Sequence, residues 1–116
     1  METASELAEV INRVDAPCLG ANFDIGHSFL CGESAHEAVA LLEGRIWNVH
    51  VEDIHNRKHY HLIPGEGELP FNDYFQALKA TGYDDYLTVE LYSYSHRPED
   101  AGIRSLAYLK KLLASG

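Results

Sequence analysis

Three short apolar runs in this chain each end at, or just before, side chains that can hold a metal ion, and no other feature restricts the fold as much. Asn22-Phe23-Asp24-Ile25-Gly26-His27 carries Asp24 and His27, Trp47-Asn48-Val49-His50 ends on His50, and Leu87-Thr88-Val89-Glu90 ends on Glu90. His59 and His61 follow the second run. Carboxylates and imidazoles delivered from the ends of buried strands are how a parallel α/β sheet assembles a divalent-metal site.

Helical segments separate the runs. Ser5 is the expected N-cap of a helix to about Val14, with Leu7, Val10, Ile11 and Val14 on one face. Cys18 to Ile25 reads as a buried strand that Gly26 ends. Ser34 then caps a helix to about Leu42, closed by Gly44, and Arg45 to Val51 reads as the second strand. Glu52 to His59 reads as a loop, followed by a short extended piece, Tyr60-His61-Leu62-Ile63, and the turn Pro64-Gly65-Glu66-Gly67. Phe71, Tyr74, Phe75 and Leu78 share one face of a third helix that Gly82 stops, and Tyr86 to Leu91 is the third strand. A last helix, from near Pro98 to about Leu113, turns Ala101, Leu106, Leu109, Leu112 and Leu113 inward. The order predicts an α/β unit of about three parallel strands alternating with four helices through right-handed crossovers. No linker, low-complexity tract or charge block interrupts it, so residues 1–116 read as a single unit.

The 116 residues suffice for one modest core but fall short of the roughly 250 of a closed eight-fold barrel. No apolar run approaches the roughly 20 residues of a membrane span, and the acidic opening Met1-Glu2-Thr3-Ala4-Ser5-Glu6 does not resemble a signal peptide. A cytoplasmic location is expected. Cys18 and Cys31 share no metal or redox spacing and are expected to be reduced, partly buried thiols. A net charge of −9 works against attraction to nucleic acid or to an anionic membrane.

Each candidate residue has a functional and a structural reading. Asp24 is a metal ligand or the cap of a turn, and His27 binds a second metal or a substrate hydroxyl, or is a surface imidazole. His50 is a ligand, oriented by a carboxylate such as Glu52 or Asp53, or is simply a hydrogen-bonded residue. His59 and His61 alternate, so on an extended segment both imidazoles face one side. Glu90, in an apolar strand, needs a cation or hydrogen bonds to offset its desolvation, and either a metal or an arginine such as Arg45 or Arg104 meets that need.

The ordered set Asp24-x-x-His27, Val49-His50-Val51-Glu52-Asp53, Pro64-Gly65-Glu66-Gly67 before a helix at Phe71, Thr81-Gly82-Tyr83-Asp84 and Val89-Glu90 resembles the C-terminal part of the xylose isomerase-like TIM barrels. That superfamily contains sugar phosphate isomerases/epimerases, ketose 3-epimerases and endonuclease IV-type enzymes, and the resemblance runs through essentially the whole chain. It implies a partial (β/α)8 barrel holding about three of the eight strands. It further implies that Asp24, His50 and Glu90 are metal ligands from the sixth, seventh and eighth strands, and that His27 contacts substrate. No residue of this chain matches the fifth-strand glutamate that completes the family's site.

The implied chemistry is proton transfer on a sugar or sugar phosphate through an enediolate, with Glu90 as the proton shuttle and Mn²⁺, Mg²⁺ or Co²⁺ as the cofactor. Trp47, Tyr60 and Tyr92 are candidates to wall the sugar or are ordinary core aromatics. Where ketose epimerases present an arginine after the seventh-strand histidine, this chain has Asn56 followed by Arg57, which makes Arg57 the substrate-binding candidate.

Two other outcomes remain open. Endonuclease IV-type members carry a zinc-binding aspartate and histidine before Gly-Glu-Gly; His61 matches the histidine and His59 stands in the aspartate's place. With His27 this resembles a multi-zinc remnant and implies phosphodiester hydrolysis, although the acidic chain shows no basic stripe for nucleic acid. Alternatively the chain is an inactive barrel fragment, expected to self-associate as a homo-oligomer through edge strands and an uncovered apolar sheet face, or to need the missing N-terminal barrel half.

Overall fold

A computed structural model describes residues 3–115; Met1, Glu2 and Gly116, at the ends of the expected single unit, lie outside the described residues. Helix α1 spans Ala4–Val14, and its cap is Thr3, not Ser5. The Thr3 hydroxyl accepts from the Glu6 N–H at 3.1 Å while the Glu6 carboxylate accepts from the Thr3 N–H at 3.3 Å, a reciprocal capping box that Ser5 cannot form. The buried residues of the helix are Ala4, Ala8 and Ile11, whereas Val10 and Val14, expected on the apolar face, are exposed.

Three parallel strands follow as expected: β1 (Ala21–Asp24), β2 (Ile46–Val51) and β5 (Leu87–Val89), in the order β1-β2-β5. Asp24 pairs with His50, and His50 with Thr88, so the ends of the strands stand side by side. An irregularity near the start of β1, where Ala21 faces Ile46 and Asn22 faces Asn48, leaves Trp47 out of register.

The outer face of this sheet carries Ala21, Phe23, Val49 and Val51, all buried beneath the helices with Ile11, Val39, Leu42, Tyr74, Leu78 and Leu109. Those helices are α1, α3 (Ala35–Leu41), α4 (Phe71–Ala80) and α5 (Pro98–Ser115). Gly44 and Gly82 follow α3 and α4 with φ of +77° and +81°, the left-handed geometry that glycine adopts without strain. On α5 the inward residues are Ala101, Ser105 and Leu109, whereas Leu106 and Leu113 are half exposed, contrary to expectation.

Two elements were not expected. A short helix, α2 (Ile25–Leu30), begins directly after β1, so Gly26 lies inside a helix where a strand end was expected. The stretch Glu52 to His59, read as a loop, instead forms β3 (Asp53–His55) and the start of β4 (Lys58–Leu62), whose later residues are the expected extended piece, and Asn56 and Arg57 turn this hairpin at φ of 52° and 55°. Two consecutive left-handed residues match the twist of a two-residue hairpin turn, but Asn-Arg lacks the glycine that usually signals one.

Asp53 anchors the hairpin. Its carboxylate, 1% exposed, accepts from the backbone N–H of Ile54 and Leu69 through one oxygen and of Gly65 and Gly67 through the other, at 2.9–3.0 Å. A side chain at Gly67 would collide with the Ile54 carbonyl, which is why the turn needs glycine there.

The inner sheet face is polar, which corrects the expectation of uncovered apolar surface. Thr88 donates to Asn48 at 2.9 Å and Asn48 to Asn22 at 3.1 Å, placing all three side chains on the face opposite the core. Cys18 and Cys31, expected to be partly buried, are exposed and form no disulfide.

Candidate metal centre

The cap reading of Asp24 holds, and the residue also joins a cluster of potential ligands. It caps α2, its Oδ1 accepting from the His27 N–H at 2.8 Å, and its carboxylate also meets His50 and Glu90 with ligand atoms all within 4.8 Å of one another. The strand register produces this convergence: Asp24 is the last residue of β1, His50 lies beside it in β2, and Glu90 directly follows β5, its N–H bonded to the Val51 carbonyl at 3.1 Å. Glu90 Oε2 lies 3.1 Å from His50 Nδ1 and 3.7 Å from His61 Nδ1.

Neither arginine considered for Glu90 reaches it. Arg45 donates to the carbonyls of Ala16 and Leu19, and Arg104 pairs with Glu66 and Asp100. Half-buried Glu90 thus faces the imidazoles of His50 and His61 with the Asp24 carboxylate close by, an environment suited to a cation.

A second cluster adjoins the first. His59 and His61 stack face to face, centroids 4.0 Å apart, as their alternation predicts, and with Glu52 they form a further set of ligand atoms within 4.8 Å. His59 Nε2 lies 2.9 Å from Glu52 Oε1 and 3.7 Å from Asp24 Oδ1, so the clusters share a border. Glu52 and Asp53 were expected to orient His50, but Glu52 turns to His59 and Asp24, and Asp53 is consumed by backbone N–H groups. Beside the His50 ring stands instead the Asn22 amide nitrogen, 3.2 Å from Nε2 and 3.5 Å from Nδ1.

The charge state of the site follows from burial. Glu52 is fully buried; desolvation, then its hydrogen bond to Asp24 and the charges of Asp24 and Glu90, push its carboxyl up to about 10. Burial also pushes Asp24 upward, but the Glu52 proton, the His27 N–H and the nearby His59 and His61 outweigh it and hold the carboxylate below its ordinary value. His59 is lowered, first by burial and then by His61 and His27, against the opposing pull of Asp24. A neutral imidazole beside an ionised carboxylate is the donor state a metal requires.

A divalent ion fits these residues. Among the described residues, two buried side-chain atoms have no hydrogen-bond partner, Glu52 Oε2 and His61 Nδ1, and both belong to the second cluster. Orphaned buried acceptors are uncommon because each costs about 1–3 kcal/mol, and a cation removes that cost. The mixed oxygen and nitrogen donors suit borderline divalent metals, including zinc.

The remaining candidates are dispersed. His27, in the first turn of α2, has its ring 6.0 Å from His59 and borders a cleft of about 230 Å³ shared with Asp24, Asn22 and Glu33. Arg57 donates to the Leu30 carbonyl at 3.3 Å and lies over the Phe29 ring, at the C-terminal end of α2. Trp47 lies near the start of β2, against Gly20, where any side chain would strike its ring. Of the aromatics, Tyr92 stacks on His61 at 3.8 Å and Tyr60 is half exposed.

Sequence reasoning missed Glu52 as a potential ligand and Asn22 as a neighbour of His50. Asn22 was accessible, since it lies two positions before Asp24 and so on the same strand face. Glu52 was not, because its direction depends on α2: a Cβ at Gly26 would collide with the Glu52 carboxylate.

Comparison with known proteins agrees with this geometry. An uncharacterized protein of Methanocaldococcus jannaschii is 35% identical over 91 residues, covering 76% of this chain and 31% of its own length. Fructoselysine 3-epimerase of Escherichia coli O157:H7 is 26% identical over 111 residues, covering 95% of this chain and 40% of the enzyme. A crystal structure of a D-tagatose 3-epimerase-like protein superposes with a TM-score of 0.80 at 30% identity, over 97% of this chain and 41% of that one. The chain thus spans well under half the length of these relatives. With residues 1–112 matching the family as a whole, the chain belongs to the xylose isomerase-like TIM barrels.

Proposed function

We propose that this chain supplies the metal-binding strands of a divalent-metal-dependent sugar or sugar-phosphate isomerase/epimerase. The convergence of Asp24, His50 and Glu90 at the C-terminal ends of three parallel strands carries the reading, because that is where such barrels do their chemistry. The ion they would hold, Mn²⁺, Mg²⁺ or Co²⁺, supplies Lewis-acid polarisation of a carbonyl and its neighbouring hydroxyl, which acidifies the adjacent C–H.

The chain's own residues do the rest. Glu90 accepts the proton from the substrate carbon at one face; returning it to the neighbouring carbon of the enediolate gives isomerisation, whereas epimerisation takes a proton on the opposite face from a second acid, the fifth-strand glutamate of the family, which this chain does not carry. His27, beside the cleft next to Asp24, orients a substrate oxygen. The Tyr92 and His61 stack walls one side of the site. The neutral Glu52 carboxyl donates to Asp24 and holds it in place. Two relatives of this chain are named as 3-epimerases or 3-epimerase-like, which supports the sugar substrate over other carbonyl compounds. The outer edges of β1 and β5 remain open for further barrel strands or for a second copy of the chain. No helix among the described residues is long and apolar enough to cross a membrane.

A second reading, a zinc phosphodiesterase, rests on the Glu52, His59 and His61 cluster with its two orphaned atoms. One experiment separates the two. The purified chain is incubated in D₂O with Mn²⁺ and a panel of ketoses, and in parallel with Zn²⁺ and abasic DNA. The sugar reading predicts Mn²⁺-dependent deuterium incorporation beside the carbonyl that Glu90→Gln eliminates. Zinc-dependent DNA cleavage without exchange would replace it.

A further inference from the structure

His61 sits in a conformation that its neighbours must maintain. Its φ of 53° is left-handed, a backbone geometry that residues with a Cβ adopt infrequently and at a cost in strain. The residue is 5% exposed, and its Nδ1 is one of the two buried side-chain atoms without a hydrogen-bond partner among the described residues. Such strain persists only where the surrounding structure holds it.

The strain belongs to an uneven hairpin. Asp53 faces Leu62 and His55 faces Lys58, so the first arm advances two residues while the second advances four. The surplus residues of β4 bulge out of the ladder, and a bulge re-aims the side chains it carries. Here it brings His59 to Glu52 and Asp24, and His61 to Glu90. His59 and Tyr92 stack on His61 at 4.0 and 3.8 Å. At those distances they cannot share one face of the ring, so His61 is sandwiched between them, with its Nδ1 3.7 Å from Glu90 Oε2.

One side chain ties this bulge to the segment that follows β5. Two residues after His61, the Ile63 N–H donates to the Tyr94 hydroxyl at 3.2 Å, and the hydroxyl donates in turn to Glu66 Oε2 at 3.1 Å. Arg104 of α5 pairs with Glu66 Oε1, and the Tyr108 ring lies against Gly65. From the hairpin side, Asp53 takes the Gly65 and Gly67 N–H groups, and the Ile63 carbonyl takes that of Glu66. Tyr94 thus fastens the turn to the stretch that also carries Glu90 and Tyr92. We propose that Tyr94 is a positioning residue for the metal centre: through the Ile63 backbone it holds the bulge in its left-handed turn, and with Tyr92 it fixes the His61 imidazole beside Glu90. Glu66 and Arg104 stand behind it by holding the Tyr94 hydroxyl. The inference rests on the Asp24, His50 and Glu90 metal reading.

The test is proton NMR of the His61 ring in the full, metal-free chain, followed by Co²⁺ titration read from the visible spectrum. In the unaltered chain the ring currents of His59 and Tyr92 are expected to displace the His61 ring protons upfield. Tyr94→Phe keeps the aromatic ring and loses only the hydroxyl. It is expected to return the His61 signals toward those of an unstacked histidine and to weaken Co²⁺ binding by about 10-fold, the lower end of what losing a ligand's outer partner costs. The Tyr74 ring signals, from the core on the other side of the sheet, are expected to stay in place, which separates a displaced His61 from a general loss of fold. Glu66→Ala, at an exposed position, is expected to displace the same His61 signals and decides the matter if Tyr94→Phe does not fold. Unmoved His61 signals in the folded variant overturn the proposal and leave the metal centre standing. Displaced signals with undiminished Co²⁺ affinity confine Tyr94 to the hairpin and overturn its role at the metal centre. Failure of the unaltered chain to bind Co²⁺ overturns the metal reading, and that role with it, whatever the ring signals show.

Discussion

Gly26 decides where Glu52 goes. With no side chain at that position, the Glu52 carboxyl lies against the first turn of α2 and reaches both His59 and Asp24. Gly26→Ala places a methyl group where that carboxyl sits, and overpacking of this kind costs about 1–3 kcal/mol. Urea denaturation should show that loss, and an unchanged midpoint would mean that Glu52 has another resting place. His50→Ala is expected to weaken divalent-metal binding by about 10–100-fold or more, since even outer partners cost that much; titration calorimetry reads it directly. At this scale the sequence shows Asp24, His50 and Glu90 because each ends an apolar run. It does not show Glu52, Arg57 or Trp47 in their true surroundings, because those depend on a neighbouring helix, a hairpin turn and a facing glycine.

The hairpin and the Pro64-Gly65-Glu66-Gly67 turn form one element through Asp53. Asp53→Ala removes the acceptor of four backbone N–H groups, and at about 1–3 kcal/mol per buried orphan the expected loss is roughly 3 kcal/mol or more. A destabilisation within error of zero would show that water replaces the carboxylate. Helix α4 gives a pH test. Tyr74 is 1% exposed and donates to Ser28 at 3.3 Å, and burial first of all pushes its hydroxyl up to about 12. The folded chain keeps a proton that the unfolded chain gives up above its ordinary value of 10, so this contribution is intact below pH 10 and declines as pH rises toward 12. Denaturation between these values should show a steeper decline in the unaltered chain than in Tyr74→Phe. The strands and long helices were legible from period and punctuation. Helix α2 and the first arm and turn of the hairpin were not, since one begins inside a strand signal and the other has no glycine turn; only the extended piece from Tyr60 in β4 was legible.

As a whole, the molecule is a three-stranded arc with an apolar convex side under helices and a polar concave side bearing the ligands. Barrel architecture could be inferred from the ordered motifs, but the polarity of the concave face became apparent only once Asn22, Asn48 and Thr88 were placed together. Ligands drawn from three strands couple metal binding to the fold. Divalent ion at 100 times its dissociation constant should therefore raise the unfolding free energy by about 2.7 kcal/mol, an increment that disappears in His50→Ala. Equal stabilisation of both proteins would place the ion elsewhere. The most direct measurement is elemental analysis of the dialysed chain after loading with Mn²⁺, for the unaltered protein and for Asp24→Ala, His50→Ala and Glu90→Ala. One ion per unaltered chain, lost in all three variants, is the predicted result; no ion in the unaltered chain, or retention in the variants, would contradict a centre built from the ends of these three strands.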